Sequence, residues 1–139
     1  MASIINLLQF KYYFCFLEAL NKYKSKNNTF PNNIVIYRDG VEDGQLSYVH
    51  QTEVDMVKKT CKEFYGDKKV GLAFVIFKIC NNTRFFCNNP NIYQNPPPGT
   101  VIDNTVTDPT MYDFYLVSQN ITKNAATPTH YNVIWDTLN

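Results

Sequence analysis

The stretch that most constrains the fold of this chain is the nearly continuous apolar run over residues 70–77. The run lacks the alternation of a half-exposed strand and is typical of a strand covered on both faces, as in the middle of an α/β sheet. A second, mostly β-branched run lies at residues 34–36, and a helical pattern precedes each run. The order helix, strand, helix, strand predicts two parallel, neighbouring strands joined by a right-handed crossover.

Two amphipathic helices are predicted, one before each of these strands. Residues 4–24 carry an apolar stripe at helical spacing, which we interpret as core: Phe10, Tyr13, Phe14, Leu17 and Leu20. Residues 47–65 form the second helix, closed by Gly66, with a predicted buried stripe of Val54, Val57, Cys61 and Phe64. His50, near the start of this helix, is interpreted as a surface or packing residue.

The second half of the chain is predicted to add short strands to the same sheet. They cover residues 83–87, 101–107, 112–118 and 129–135, with an Asn- and Pro-rich loop at 88–99. The predicted fold is therefore a mixed α/β domain with a central sheet of about five strands and helices on both faces.

Composition excludes several classes of protein. With 45% hydrophobic and 18% charged residues, the chain is a folded domain and not a disordered tail. Its net charge of +1 means that any nucleic-acid binding must come from local clusters of charge. The 4 cysteines lack the spacing of a zinc site, and we interpret them as reduced, buried thiols. We expect no membrane span and a cytoplasmic protein, with the nucleus as the alternative.

Polar side chains at the ends of predicted strands are the candidates for chemistry. Asp39 ends the first strand, and Gly40 then lets the chain turn away; ligands bind at such carboxyl ends in open α/β sheets. His130 begins the last strand, and Asp103 and Asp113 are further candidates. An aspartate and a histidine at one end of a sheet can ligate divalent metal ions. The alternative is a turn-forming or structural role, which we favour for the last two aspartates.

Five sequence blocks, in the right order, resemble the Piwi domain of Argonaute and Piwi proteins. They are YRDGVEDGQ at 37–45, NNTRFF at 81–86, NPPPGTVID at 95–103, YDFYLVSQ at 112–119 and PTHYNVIWD at 128–136. The sequences of the third and fourth blocks are more similar to the Piwi branch than to the Argonaute branch. The resemblance implies that residues 1–139 are one partial Piwi domain, supported by motifs over 31–136. The implied fold is an incomplete RNase H-like α/β domain, a mixed sheet with flanking helices.

The resemblance also implies a function. Family members bind a small guide RNA paired to a target RNA. Active members cleave the target with two Mg²⁺ (or Mn²⁺) ions held by two aspartates, a glutamate and a histidine. Carried over by motif, Asp39 is the second catalytic aspartate and His130 the catalytic histidine, both as metal ligands. Lys78, Arg84 and Gln119 are the implied nucleic-acid contacts.

The chain departs from the family pattern in ways that bear on activity. The first catalytic aspartate belongs to an earlier strand of that fold, and residues 6–10, where the glutamate would fall, contain no acid. Residues 79 and 80 replace the usual Lys-Arg pair. We therefore expect the RNA-binding part of a small-RNA-guided, piRNA-type silencing protein, without cleavage by this chain alone and with other silencing proteins as further partners. The alternative is a catalytically dead stand-alone interaction module or a truncated gene fragment.

Overall fold

The computed structural model describes residues 2–79, 81–88, 94–120 and 124–138, without the side chains of residues 2–10 and 43. Its helices are α1 (Ala2–Asn27), α2 (Leu46–Val49) and α3 (Asp55–Tyr65), and its strands are β1 (Asn33–Asp39), β2 (Gly71–Lys78), β3 (Thr100–Ile102), β4 (Tyr112–Val117) and β5 (Thr129–Asp136). A 3-10 turn (Asp43–Gln45) precedes α2, and a π-helical segment (His50–Val54) joins α2 to α3. None of the helices among these residues is long and apolar enough to cross a membrane.

The described strands form one five-stranded sheet in the order β1-β2-β5-β4-β3. The amide of Gly71 donates to the carbonyl of Asn32 at 2.8 Å, so β1 and β2 start side by side and run parallel, as predicted. The amide of Thr137 donates to the carbonyl of Leu72 at 2.9 Å, which sets the end of β5 against the start of β2 and makes that pair antiparallel. β4 pairs antiparallel with both β5 and β3. The sheet is therefore mixed, as expected.

By its internal contacts the chain divides into two compact units. Unit 1 comprises residues 1–36, 42–74 and 135–139, and unit 2 comprises residues 37–41 and 75–134. Unit 1 contains the helices and the starts of β1 and β2. Unit 2 contains the last residues of β1 and β2, all of β3 and β4, and most of β5.

Strand β2 is the most deeply buried element. Its residues 72–76 are all buried, and Phe74 and Ile76 are at most 1% exposed. Successive residues of a strand point to opposite faces, so burial of five in a row means that both faces are covered. The prediction drawn from the continuous apolar run is confirmed.

The helices match the predicted stripes in part. Val54, Val57 and Cys61 are buried as predicted, and Gly66 follows α3 with a φ of +59°. In α1, Leu20 is buried, but Phe14 is 53% exposed, so its assignment to the core is wrong. Phe14 instead lines an open surface groove with the polar residues Glu18, Asn21, Lys22 and Ser25. Phe10 lies outside the described side chains.

Two groups of aromatic contacts in unit 1 involve α3 or the segment before it. Phe30 meets Phe64 edge-on, with 5.5 Å between ring centroids, and the Tyr65 hydroxyl donates to the carbonyl of Pro31 at 2.7 Å. At the end of β5, the Lys58 ammonium lies 3.9 Å from the centroid of the Trp135 ring, and the ring of His50 is 5.8 Å from it. His50 is thus a packing histidine, as interpreted from the sequence.

One predicted strand does not form. Residues 83–87 contain only an isolated bridge between Cys87 and Gln94. The reason is local, because side chains at the start of the segment bond to its own backbone. Asn81 accepts the amide of Thr83 at 3.1 Å, and the Arg84 guanidinium donates to the carbonyls of both Asn81 and Thr83. Such side-chain bonds compete with strand pairing.

Another predicted strand, over 101–107, ends early at Ile102. The chain turns immediately afterwards: the amide of Val106 donates to the carbonyl of Asn104 at 2.7 Å, and Thr105 has a φ of +66°. Asp103 therefore lies in a turn, not in a strand. Turn formation by Asp and Asn side chains is a local preference that the apolar pattern does not reveal.

The described cysteines are all free thiols, in agreement with the sequence reading. Cys61 is buried and Cys87 partly buried, but Cys15 is exposed, so the prediction of buried thiols is wrong for that residue. Cys80 lies outside the described residues.

Cys61 and Tyr65 predict a loss of stability at alkaline pH. Burial raises the pKa of Cys61 from 9.0 to about 11 and is the main cause that raises the pKa of Tyr65 from 10.0 to about 12. Because the folded state holds both protons more tightly, this stabilisation is complete below pH 9 and is lost as pH rises through 11 to 12. Urea titrations should show the free energy of unfolding falling over this range. The fall should be smaller in Tyr65→Phe; an identical pH dependence would contradict the assignment.

Candidate nucleic-acid interface and metal site

Four of the five predicted site residues lie at one end of the sheet. The parallel strands β1 and β2 finish there with Asp39 and Lys78, and β5, which runs the opposite way, begins there with His130 as its second residue. β4 is antiparallel to β5 and so also ends there, followed two residues later by Gln119. Arg84 lies in the loop after β2. All five residues belong to unit 2.

Asp39 is exposed, and its own turn holds it. Its Oδ1 accepts the amide of Gly40 at 2.7 Å, and Gly40 has a φ of +73°, which favours glycine. The guanidinium of Arg38 donates to the carbonyl of Asp39, which fixes the backbone on the other side. A carboxylate in such a turn has a structural role by itself. It becomes a metal ligand only when other donors lie close to it.

His130 is paired with Asp113. Its Nε2 lies 2.7 Å from Oδ2 of Asp113, whose side chain is 4% exposed, compared with 19% for His130. The other carboxylate oxygen, Oδ1, accepts the amide of Asp108 at 3.0 Å. Both oxygens of the buried carboxylate are therefore engaged, as burial of a carboxylate requires. The preference for a structural role of Asp113 agrees with these bonds.

The register of the hairpin explains this pair. In the β4–β5 ladder, Asp113 lies opposite Asn132 and Tyr115 lies opposite His130. Asp113 and His130 are therefore diagonal neighbours on one face of the sheet. The His130 ring also stacks on Tyr115, with 4.3 Å between centroids and 13° between planes. Phe85 packs edge-on against Tyr115, with 5.4 Å between ring centroids.

This pairing bears on the predicted metal role of His130. With Nε2 bonded to Asp113, Nδ1 is the ring nitrogen that a metal ion would have to use. Across the described residues, no three side chains of His, Cys, Asp or Glu lie close enough together to hold a metal ion. A two-metal centre needs at least three such side chains close together, so the described residues do not form a complete one. The ligand roles of Asp39 and His130 stay predictions.

Arg84 is exposed and oriented by the turn in which it lies. Its Nη1 donates to the carbonyls of Asn81 at 2.9 Å and Thr83 at 2.6 Å. A guanidinium carries five donor hydrogens in a planar fork, so the remaining ones lie on its other two nitrogens. The side chain of Asn81 reaches further and donates to the carbonyl of Pro128 at 2.7 Å, across 47 residues of sequence.

Asn95 bonds to the segment just before Pro128. Its Nδ2 donates to the carbonyl of Asn124 at 2.7 Å, and its Oδ1 accepts the amide of Ala126 at 2.9 Å. Sequence reasoning treated Asn81 and Asn95 only as motif positions and missed these roles. The one available signal is that each asparagine opens a motif block.

A comparison with known proteins identifies the family. The Piwi domain model matches residues 5–139. Piwi-like protein Siwi of Bombyx mori is 51% identical over 120 residues, which is 86% of this chain and 13% of that protein. Piwi-like protein 3 of Homo sapiens is 41% identical over 124 residues, which is 89% of this chain and 14% of that protein. The chain thus spans about one seventh of the length of these relatives.

Solved structures lead to the same family. The crystal structure of Drosophila Piwi matches with a TM-score of 0.76 and 39% identity, over 88% of this chain and 17% of that one. Kluyveromyces polysporus Argonaute, solved with a guide RNA, matches with a TM-score of 0.74 and 26% identity, over 87% and 16%. These matches confirm the RNase H-like α/β fold. Since the Piwi proteins are the more similar, the chain is a partial Piwi domain and belongs to the Piwi branch of the Argonaute/Piwi family.

Proposed function

We propose that this chain is the RNA-binding part of a small-RNA-guided, piRNA-type silencing protein. The observation that carries the proposal is the convergence of Lys78 and Gln119 on one end of the sheet of a Piwi-branch domain, with Arg84 in the loop that follows β2. A guide RNA is the first proposed ligand, and the guide RNA in the matching yeast Argonaute structure supports it. The proposed second ligand is a target RNA paired to the guide. Other silencing proteins are proposed partners, and the cytoplasm is the proposed compartment.

The proposed contacts are chemically suited to the RNA backbone. Lys78 and Arg84 would meet phosphates, and the Gln119 amide would donate to phosphate or sugar oxygens. The two carbonyls that hold the Arg84 guanidinium leave little rotamer freedom to be lost on binding. Because the net charge is only +1, such local contacts and not a global field must attract the RNA.

Cleavage is not part of the proposal for this chain alone. We propose Asp39 as a ligand for Mg²⁺ or Mn²⁺ only where a longer protein supplies further donors. The described residues offer no group of three donors for a metal, and the second proposed ligand, His130, already shares Nε2 with Asp113. A missing donor cannot be replaced easily, because Mg²⁺ demands near-ideal octahedral geometry and gives up its water reluctantly.

The test is filter binding of a guide–target RNA duplex across a salt series. We expect the logarithm of the affinity to fall linearly with the logarithm of salt concentration. Arg84→Gln should weaken binding and reduce the salt slope by about 1, because one phosphate contact is lost. Lys69→Gln is the matched control, since it removes the same charge from an exposed residue before β2 and should change neither quantity.

The outcome also separates the two readings of the chain. Equal effects of Arg84→Gln and Lys69→Gln would contradict the role of Arg84. Absence of any salt-dependent binding by the wild-type chain would contradict the proposal as a whole and favour a module that contacts only protein.

A further inference from the structure

Three hydrogen bonds made by two asparagine side chains tie three loops of unit 2 together. Through Asn81, the turn that carries Arg84 is bonded to the carbonyl of Pro128. Asn95 directly precedes the three prolines at 96–98. Its side chain bonds that loop to both the carbonyl of Asn124 and the amide of Ala126. We call residues 124–128 the lead-in segment, because it runs directly into β5.

The lead-in segment is held tightly where the asparagines reach it. Pro128 is fully buried and Ala126 is 3% exposed. Each asparagine uses both ends of its amide, one to donate and one to accept. An asparagine meets this double demand without a charge, whereas an aspartate offers acceptors only.

Asn81 also links this packing to the guanidinium of Arg84. Its backbone carbonyl accepts from Arg84 Nη1, while its side chain donates to Pro128. A displacement of the lead-in segment is therefore passed, through one residue, to the group that would meet a phosphate.

We propose that Asn81 and Asn95 are positioning residues for RNA binding, which lock the Arg84 turn and the lead-in segment into one preorganised unit. This inference rests on the proposed function, since it concerns how the same surface binds RNA. A preorganised guanidinium loses less conformational entropy on binding, and this smaller entropic cost raises the affinity. Neither asparagine needs to touch the RNA.

The test compares Asn81→Asp and Asn95→Asp with Asn82→Asp and Asn88→Asp. All four add the same negative charge, but the two controls change exposed residues. Affinity for the guide–target duplex should fall about tenfold in the first pair, as expected for one lost bond of about 1.4 kcal/mol, and less than twofold in the controls. Circular dichroism melts of all four variants verify that each is folded.

Two further readouts distinguish positioning from a merely structural role. Asn81→Asp combined with Arg84→Gln should weaken binding by less than the product of the single effects, because Asn81 acts through Arg84. In the free protein, Asn81→Asp should accelerate hydrogen exchange at the Ala126 amide, which Asn82→Asp should leave unchanged.

The results that would overturn the positioning role differ from the result that would overturn RNA binding. Equal losses in test and control variants, multiplicative effects with Arg84→Gln, or unchanged exchange at Ala126 would overturn the positioning role while leaving RNA binding in place. Absence of RNA binding by the wild-type chain would overturn the proposed function, and the positioning role would fall with it.

Discussion

Asp113→Ala should lower the free energy of unfolding by about 2–4 kcal/mol, measured by urea titration at neutral pH. The substitution removes both oxygens that the buried carboxylate presents, one to His130 Nε2 at 2.7 Å and one to the Asp108 amide at 3.0 Å. Both donors then lose their partner, and the His130 ring, which is only 19% exposed, loses it where water has little access. Removal of a buried carboxylate that accepts two hydrogen bonds is among the larger effects that one substitution can have.

Asp113→Asn is the matched variant. Its remaining oxygen can still accept the Asp108 amide, and its NH₂ can donate to a neutral His130 ring, so its cost should be clearly smaller. His130→Ala should cost nearly as much as Asp113→Ala, and the double variant should cost less than their sum. Strict additivity would refute the pair. The comparison is made without divalent ions, so a large loss in His130→Ala identifies a structural role that needs no metal.

Phe74→Ala should destabilise the protein by about 3–5 kcal/mol, because it leaves a cavity in the most deeply buried strand. Phe74 is completely buried in β2, with buried neighbours on both sides in sequence. Phe14→Ala removes the same atoms from a side chain that is 53% exposed, and it should cost less than about 1 kcal/mol. Similar midpoints of urea unfolding for the two variants would mean that β2 does not form the core.

The parts of the fold that were predicted correctly are those that apolar patterning determines. The run at 70–77 identified β2, and the spacing of Val54, Val57 and Cys61 identified the buried face of α3 and of the π-helical segment before it. Both signals arise from burial, which sequence reports directly. The prediction over 83–87 failed because the hydrogen bonds of Asn81 and Arg84 to the local backbone compete with strand pairing.

The sequence predicted where the residues of the candidate site lie, but not which side chain His130 contacts. Asp39 and His130 were assigned from motifs, and the strand order does bring them to the same end of the sheet. The pairing of His130 with Asp113 spans 17 residues and depends on the register of β4 against β5. That register is a property of two strands together, so the local pattern of either strand does not encode it.

The placement of Trp135 has a practical consequence for spectroscopy. It is the chain's single tryptophan, and it lies in unit 1 beneath the Lys58 ammonium. Selectively excited tryptophan fluorescence therefore reports the place where α3 meets the end of β5, whereas far-ultraviolet circular dichroism averages over the whole backbone. If the two signals change at different denaturant concentrations, local opening has been separated from global unfolding within one unlabelled sample.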